Sequence, residues 1–373
     1  MANKTINLGA YLPLSQIREA IHLYGKDITI VVPGEPGIGK TSLLSGLAAD
    51  NGDQWRKPGD YFPTDKRNYL YIDCTTEELG DRKMKIPVHA TKKLEDYLAA
   101  ELRLDEGKPL DIMLDEFMKC PKQLQVVWTR LMLERTIGNV PLPPGSRVFA
   151  TCNNITDGLG DAIQAHVGNR IMLLPARKPV AREWVRWATD NNIDKTITAW
   201  VSATKRCLAS YLDSGEENNE YIFNPMHGNV VSFVSPRSLA KADVIVKLRD
   251  KASPALTEAA LAGTIGAAAA KGLMACIALN DTILKTEEVI AAPTAVPVPD
   301  DVLAQILMMI HGANDVETQD DVDAFMQFVE RIPSDEIQSV FFHLMVTQTR
   351  TVMLVRNNKR LTKWRLDNFE LIG

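Results

Sequence analysis

The sequence predicts an α/β fold, with a doubly wound, parallel five-stranded sheet followed by a helical lid and a C-terminal helical region. Over the first 175 residues, short apolar runs alternate with longer stretches of helical periodicity. This alternation is typical of a parallel sheet covered by helices on both faces. Beyond residue 175 the apolar runs fade and helical periodicity continues alone. The change in pattern predicts a first domain over residues 1–175.

Five strands are expected in this first domain. Each run is short and apolar at nearly every position, as is typical of strands buried on both faces. The predicted strands cover residues 28–32, 69–73, 112–115, 147–151 and 171–174. Helices are expected between them, one capped by Ser15 and ending near Tyr24, one opening at Lys40, and two over residues 94–104 and 122–134.

Helices dominate the remainder of the chain. The predicted lid, residues 176–290, contains helices over 181–189, 197–212, 238–248 and 256–279. Residues 291–300 carry three prolines within seven residues, and proline both stops helices and stiffens connectors. This segment is predicted to be a linker. The C-terminal helical region, residues 301–373, is expected to contain helices over 301–310, 318–331 and 335–355.

The composition is that of an ordinary soluble protein, with 45% hydrophobic and 24% charged residues. No run approaches the roughly 18 apolar residues of a membrane span. The first residues show no charged segment followed by an apolar run, so a cytoplasmic location is expected. Five widely spaced cysteines predict free thiols and no transition-metal site. The net charge of −5 gives no overall attraction to nucleic acid, although a local basic patch stays open.

The strongest motif reads Gly-Glu-Pro-Gly-Ile-Gly-Lys-Thr and lies between an apolar strand and a helix. Glycines let backbone N–H groups surround phosphates, while Lys40 supplies a charge to the outer phosphates and Thr41 offers a hydroxyl to Mg²⁺. The alternative is a glycine-rich turn without function. ATP and Mg²⁺ are therefore the expected cofactors. The expected nucleotide-binding residues of this phosphate loop are Gly34, Glu35, Pro36, Gly37, Ile38, Gly39, Lys40, Thr41 and Ser42.

Two adjacent carboxylates end the apolar strand that is predicted to finish at Asp115. In ATPases with a phosphate loop, a strand-end aspartate holds Mg²⁺ through its water shell, and a following glutamate can polarise the attacking water. Asp115 and Glu116 fit these roles. An isolated Asp-Glu pair is otherwise an ordinary solvated strand end.

A third strand ends in the amides of Asn153 and Asn154. If this strand lies beside the other two, Asn153 reaches the γ-phosphate or the attacking water. Without that neighbourhood, an Asn pair simply indicates a turn.

With these motifs in order, the chain resembles an AAA+ ATPase, and within that superfamily it is similar to the MoxR-like branch. The matching segments are residues 34–41, 75–80, 115–116, 131–135, 150–153, 168–171 and 235–237. The resemblance implies that Arg170 is an arginine finger that reaches the nucleotide of a neighbouring subunit in a hexameric ring. It also implies that Arg237 is the lid's sensor arginine. Either arginine is otherwise an ordinary surface residue.

The chain departs from this family pattern in two places. The family often has Asn-Pro where this chain has Asn153 and Asn154, and residues 117–121 replace the usual stretch of small residues. These departures leave the reaction intact but put the branch in question.

The resemblance further implies a remodeller of a protein client, with a partner that carries a von Willebrand factor A domain. Lys83, Met84 and Lys85 either contact that client near a central pore or form a solvated loop. Residues 356–365 place five cations around Trp364, which is either a patch for nucleic acid or an acidic partner, or a solvated face over a packed tryptophan. A motor or loader acting on nucleic acid is therefore the second hypothesis. A purely structural nucleotide-binding protein is the third.

Overall fold

A computed structural model describes residues 10–55, 66–78, 80–154, 169–227, 231–348, 350–368 and 370 of the chain. The chain divides into two compact units, Met1–Lys178 and Pro179–Gly373. Among the described helices, none combines the length and the apolar character needed to cross a bilayer.

The described residues of the first unit form nine strands. They are β1 (Thr29–Pro33), β2 (Asn68–Asp73), β3 (Lys83–Val88), β4 (Lys93–Leu98), β5 (Leu110–Asp115), β6 (Thr136–Ile137), β7 (Val140–Pro141), β8 (Arg147–Cys152) and β9 (Ile171–Leu173). Five of them form one sheet in the order β2-β5-β8-β1-β9, and every pairing within it is parallel. The predicted doubly wound, parallel five-stranded sheet is thereby confirmed.

Helices α1 (Leu14–Tyr24), α2 (Ser42–Asp50) and α3 (Lys122–Glu134) cover the sheet. Side chains alternate along a strand, so neighbouring residues of β1 enter different cores. Ile30 and Val32 pack in the core that includes α1 and α2, whereas Val31 packs in the core that includes α3. Both faces of the sheet are therefore buried, as the doubly wound prediction requires. Helix α1 begins at Leu14 after Pro13, so Ser15 lies inside the helix and does not cap it.

The helix predicted over residues 94–104 is wrong. Strands β3 and β4 form an antiparallel hairpin, and two short 3₁₀ turns follow it. Leu94, Leu98 and Leu102 recur every four residues, and this spacing suits one face of a helix as well as one face of a strand. The periodicity was therefore ambiguous, and pairing with β3 decided it. Lys83, Met84 and Lys85 lie on β3, not in a loop.

The second unit is helical. Its helices are α4 (Ala181–Asp190), α5 (Lys195–Ala203), α6 (Pro236–Lys247), α7 (Pro254–Ile265), α8 (Ala267–Asn280), α9 (Thr286–Ala291), α10 (Val302–Asp315), α11 (Gln319–Val329), α12 (Asp335–Thr347), α13 (Val352–Asn357) and α14 (Lys359–Asp367).

Three helices that the sequence predicts are shorter than expected. The one expected to reach residue 212 ends at Ala203, and the one expected over 335–355 is divided between α12 and α13. The helix expected over 256–279 is broken at Gly266, whose φ of 90° lies in the left-handed region that ends α7.

One apolar core joins helices on both sides of residues 291–300. Val296 belongs to this core, and Arg331 Nη1 donates to the carbonyl oxygens of Pro293 and Val296, each at 2.7 Å. The predicted linker is thus packed within the second unit. The division into a lid of residues 176–290 and a C-terminal region of residues 301–373 stays a prediction.

Candidate functional site

The phosphate loop follows β1, which lies beside β8, and β8 lies beside β5. Parallel strands bring their carboxyl ends to one edge of the sheet, so the three sequence motifs meet there. The Gly34 N–H donates to the carbonyl oxygen of Cys152 over 3.2 Å and joins the start of the loop to the end of β8. The first unit therefore brings the loop, Asp115, Glu116 and Asn153 to one place.

Backbone conformation favours glycine at two positions of the loop, and close packing favours it at a third. Gly37 and Gly39 have φ values of 78° and 100°, which side chains rarely allow. A Cβ atom on Gly34 would lie 2.8 Å from Ile38 Cδ1 and 3.1 Å from Ala176 Cβ. These constraints explain the glycine spacing of the motif without reference to any relative.

Lys40 is buried inside the loop, with 7% of its surface exposed. Its Nζ donates to the carbonyl oxygens of Gly34 at 2.7 Å and Glu35 at 2.9 Å. The ammonium group is therefore held at the centre of the loop. This is the position from which it could transfer its hydrogen bonds to a phosphate.

The Asp115 carboxylate accepts four hydrogen bonds. Thr41 Oγ1 and the Tyr71 hydroxyl donate to Oδ2 at 3.2 and 2.8 Å. Thr151 Oγ1 and the Glu116 N–H donate to Oδ1, the latter at 3.1 Å. Hydroxyl and carboxylate oxygens are the hard ligands that Mg²⁺ prefers, so Thr41 and Asp115 fit that ion.

Glu116 adopts a left-handed backbone conformation, with φ of 52°. Such strain in a non-glycine residue is concentrated at functional sites. Its Oε2 is buried and forms an ion pair with Lys119 Nζ at 2.9 Å. The strained turn thus places the Glu116 carboxylate directly after β5, where it pairs with Lys119.

Asn153 follows β8 directly, and its Oδ1 is buried without a hydrogen-bond partner among the described residues. A buried polar atom in that state costs free energy, which a ligand or ordered water would recover.

The Cys152 thiol lies beside this site but is unreactive. Burial raises the pKa of Cys152 to about 12, and the nearby Lys40 charge only partly opposes that rise. The residue therefore stays a neutral thiol at neutral pH and is not a nucleophile.

Sequence reasoning missed three residues that contact Asp115 or Glu116. Tyr71 and Thr151 donate to Asp115, and Lys119 pairs with Glu116. Tyr71 and Thr151 carry polar groups near the ends of otherwise apolar strands, which is a signal that could have revealed them.

Arg170 is exposed and immediately precedes β9. Because Ile171 pairs with Thr29, Arg170 lies at the amino edge of the sheet. The five residues of β1 separate that edge from the loop by roughly 15 Å. Arg170 is therefore remote from the phosphate loop of its own chain.

Arg237 belongs to the second unit. It is exposed in the first turn of α6, which Ser235 caps through its hydroxyl, and it shares a face with Lys241. Its role toward a nucleotide stays a prediction. Residues 79 and 168 of the matching segments lie outside the described residues.

The two surfaces proposed for larger partners differ in character. Met84 and Tyr97 are paired across the β3–β4 hairpin and are 60% and 51% exposed. Within residues 356–365, which carry the five cations, Trp364 is buried and donates its Nε1–H to Gln338. Its ring stacks on that of Phe342, with the two ring centroids 3.6 Å apart. That tryptophan is therefore not free to stack on a nucleic-acid base.

The sequence matches no protein-family model and no curated protein. Among solved structures, a point mutant of RuvB from Thermotoga maritima is 14% identical, with 78% of this chain and 79% of that chain covered and a TM-score of 0.36. Another RuvB structure from that organism, described as a Holliday junction branch migration motor, is 14% identical over 78% of each chain, with a TM-score of 0.33. NtrX from Brucella abortus in complex with ATP is 13% identical over 74% of this chain and 69% of that chain, with a TM-score of 0.32. At these TM-scores the likeness carries no argument about function, which rests on the residues of this chain.

Proposed function

We propose that this protein binds and hydrolyses ATP with Mg²⁺. The observation that carries the proposal is the meeting of the phosphate loop with Asp115 and Glu116 at one edge of the sheet. Lys40 would bind the outer phosphates, and Thr41 and Asp115 would hold Mg²⁺. The ion would neutralise the phosphate charge that develops during hydrolysis. Glu116 would polarise the attacking water, and Asn153 would contact that water or the γ-phosphate.

Replacement of Lys40 with alanine is expected to abolish measurable ATP binding. The buried ammonium already donates to two carbonyl oxygens of the loop, so its removal takes away both the charge and a support of the loop. Binding of a fluorescent ATP analogue with Mg²⁺ measures the effect. Lys26→Ala is the matched control, because Lys26 is exposed and pairs only loosely with Asp27. Equal affinity of Lys40→Ala and wild type would remove the site assignment.

We further propose a hexameric ring in which Arg170 completes the site of a neighbouring subunit. Arg170 is exposed and remote from the loop of its own chain, so it can contact a phosphate only in trans. Its guanidinium would neutralise charge in the transition state, which in comparable systems contributes about 10³ to 10⁵ in rate.

The ring proposal predicts that Arg170→Ala loses turnover while its ATP binding stays near normal. Native mass measured with a non-hydrolysable ATP analogue is expected to show six copies. When Lys40→Ala and Arg170→Ala subunits are mixed, turnover is expected to reappear. The Lys40→Ala subunit supplies its intact Arg170 to the site of an Arg170→Ala neighbour, whose Lys40 is intact. The site of the Lys40→Ala subunit itself stays inactive. A strict monomer at every protein concentration, or full turnover by Arg170→Ala, contradicts the proposal.

We propose that the client is a protein, and that the exposed pair Met84 and Tyr97 of the β3–β4 hairpin contacts it. Met84 and Tyr97 offer an exposed apolar pair, which suits a polypeptide with exposed apolar side chains. The MoxR-like assignment and the partner with a von Willebrand factor A domain rest on the resemblance of the motifs alone. Arg237 is proposed as the arginine that senses nucleotide from the lid.

An unfolded model polypeptide such as casein is expected to stimulate ATP turnover, whereas double-stranded DNA is not. Met84→Ala with Tyr97→Ala is expected to lose the stimulation and keep the basal rate. The matched control is Val126→Ala on α3, another strongly exposed apolar residue.

Stimulation of ATP turnover by DNA, and none by casein, would favour the second hypothesis of a motor or loader acting on nucleic acid. Arg356, Lys359, Lys363 and Arg365 are exposed, and Arg360 pairs with Glu330. Salt-dependent DNA or RNA binding that weakens after replacement of Arg356, Lys359, Arg360 and Lys363 would favour a motor or loader.

A further inference from the structure

A short segment after β9 holds the beginning of the phosphate loop. We call residues 175–178 the exit segment, because they end the first unit and lead directly to Pro179. The Ala176 N–H donates to the Pro33 carbonyl oxygen over 2.7 Å, immediately before the loop. Ala176 also lies close to Gly34, since a Cβ atom on Gly34 would come within 3.1 Å of Ala176 Cβ. The exit segment is therefore hydrogen-bonded to the residue before the loop and packed against the first residue of the loop.

A buried ion pair adds a second connection between them. Lys178 Nζ lies 4.0 Å from Glu35 Oε2, and Glu35 is the second residue of the loop. Lys178 and Glu35 are 6% and 4% exposed. Charges removed from water to this extent are rarely favourable for stability alone, since an apolar pair of similar volume often serves as well. Because Glu35 belongs to the loop, this pair joins the loop to the exit segment.

Glu35 is held at two ends by two different lysines. Lys40 donates to its backbone carbonyl oxygen, and Lys178 faces its carboxylate. If Lys40 transfers its hydrogen bonds to a phosphate, the Glu35 carbonyl loses that donor. The carboxylate would still be held by Lys178. The pair therefore matters most when the loop is occupied.

We propose that Lys178 is a positioning residue for the phosphate loop and that the exit segment responds to occupancy of that loop. This inference rests on the proposed binding of ATP. Nucleotide binding draws Lys40 from Glu35, and the Glu35–Lys178 pair passes the adjustment to the exit segment. The covalent continuation at Pro179 makes this segment the direct chain connection to the helical unit.

The first test is a double-mutant cycle on ATP affinity and turnover. Lys178→Met leaves the Glu35 carboxylate buried beside the loop and is expected to weaken ATP binding about tenfold. Glu35→Gln is expected to act in the same direction, and the double variant is expected to be no weaker than Lys178→Met. Lys178→Arg keeps the charge and is expected to recover most of the affinity. Additive losses, or no recovery with arginine, would overturn the positioning role.

The second test measures a response that a merely structural lysine would not change. Hydrogen exchange of peptides covering residues 174–178 is expected to slow when ATP and Mg²⁺ bind to the wild type. The slowing is expected to disappear in Glu35→Gln and remain in Lys26→Met, which removes an exposed lysine. If the wild type binds ATP but the exchange rate of these peptides does not change, this inference is overturned and the proposed function is not. Absence of ATP binding by the wild type overturns the proposed function instead.

Lys178→Met may be compared only as a folded protein, so thermal melting accompanies both tests. If that variant does not fold, the comparison of Glu35→Gln with the double variant decides the question. Restored folding with unchanged ATP affinity in the double variant would assign the pair to stability and would overturn the positioning role.

Discussion

Replacement of Glu116 with glutamine is expected to lower ATP turnover by about 10²–10⁴-fold. The amide keeps the size of the side chain but cannot take up a proton, so it cannot act as a general base. ATP should still bind, since Lys40, Thr41 and Asp115 are unchanged. The variant is therefore expected to accumulate in its ATP-bound state.

Steady-state and single-turnover rates, with the affinity for a fluorescent ATP analogue, separate these effects. Glu134→Gln is the matched control, because Glu134 is exposed on α3 and pairs with Arg130 at 2.6 Å. Its turnover should equal that of the wild type. If Glu116→Gln retains at least half of the wild-type rate, Glu116 is not the catalytic base. If it loses ATP affinity instead, Glu116 is a binding residue.

Replacement of Asp111 with alanine is expected to destabilise the first unit by about 3–5 kcal/mol. The Asp111 side chain is fully buried at the amino end of β5, opposite the edge that carries the phosphate loop. It accepts two hydrogen bonds from Arg147 and one from Arg67, at 2.5 to 2.7 Å. Arg147 also donates to His22 Nδ1. Without Asp111, the Arg147 guanidinium would stay buried without its counter-charge.

Chemical denaturation that reports on the first unit measures this loss, and the melting temperature should fall by roughly 10 °C. Asp27→Ala is the control, because Asp27 is exposed and a loose surface pair of this kind contributes about 0–1 kcal/mol. The combination Asp111→Leu with Arg147→Met removes both charges and should be more stable than Asp111→Ala. A loss below about 1 kcal/mol for Asp111→Ala would show that water reaches Arg147 in the folded protein.

Much of the fold and of the candidate site could be predicted from short stretches of the sequence. The loop could be recognised because Gly37 and Gly39 need left-handed backbone and Lys40 has a fixed place in the motif. Asp115 and Glu116 could be recognised because a fully buried strand ends in charge. Helix α3 was predicted with the bounds that the structure shows, Lys122–Glu134.

Several contacts were beyond sequence reasoning because they join distant parts of the chain. Tyr71 reaches Asp115 only through the pairing of β2 with β5, and Lys178 reaches Glu35 only through the return of the chain after β9. The hairpin of β3 and β4 was mistaken for a helix because apolar residues four apart fit both periods. The segment is a strand because it pairs with β3, and such pairing cannot be read from a single segment.

The sequence by itself determined that a phosphate loop, two carboxylates and an amide follow buried strands, since each depends on local backbone geometry and burial. Only the tertiary structure decided that β1, β8 and β5 are neighbours and bring these groups together. It also decided that Arg170 lies at the opposite edge of the sheet. The physical reason is that strand order and register arise from packing the whole sheet between its helices, and not from any one stretch of residues.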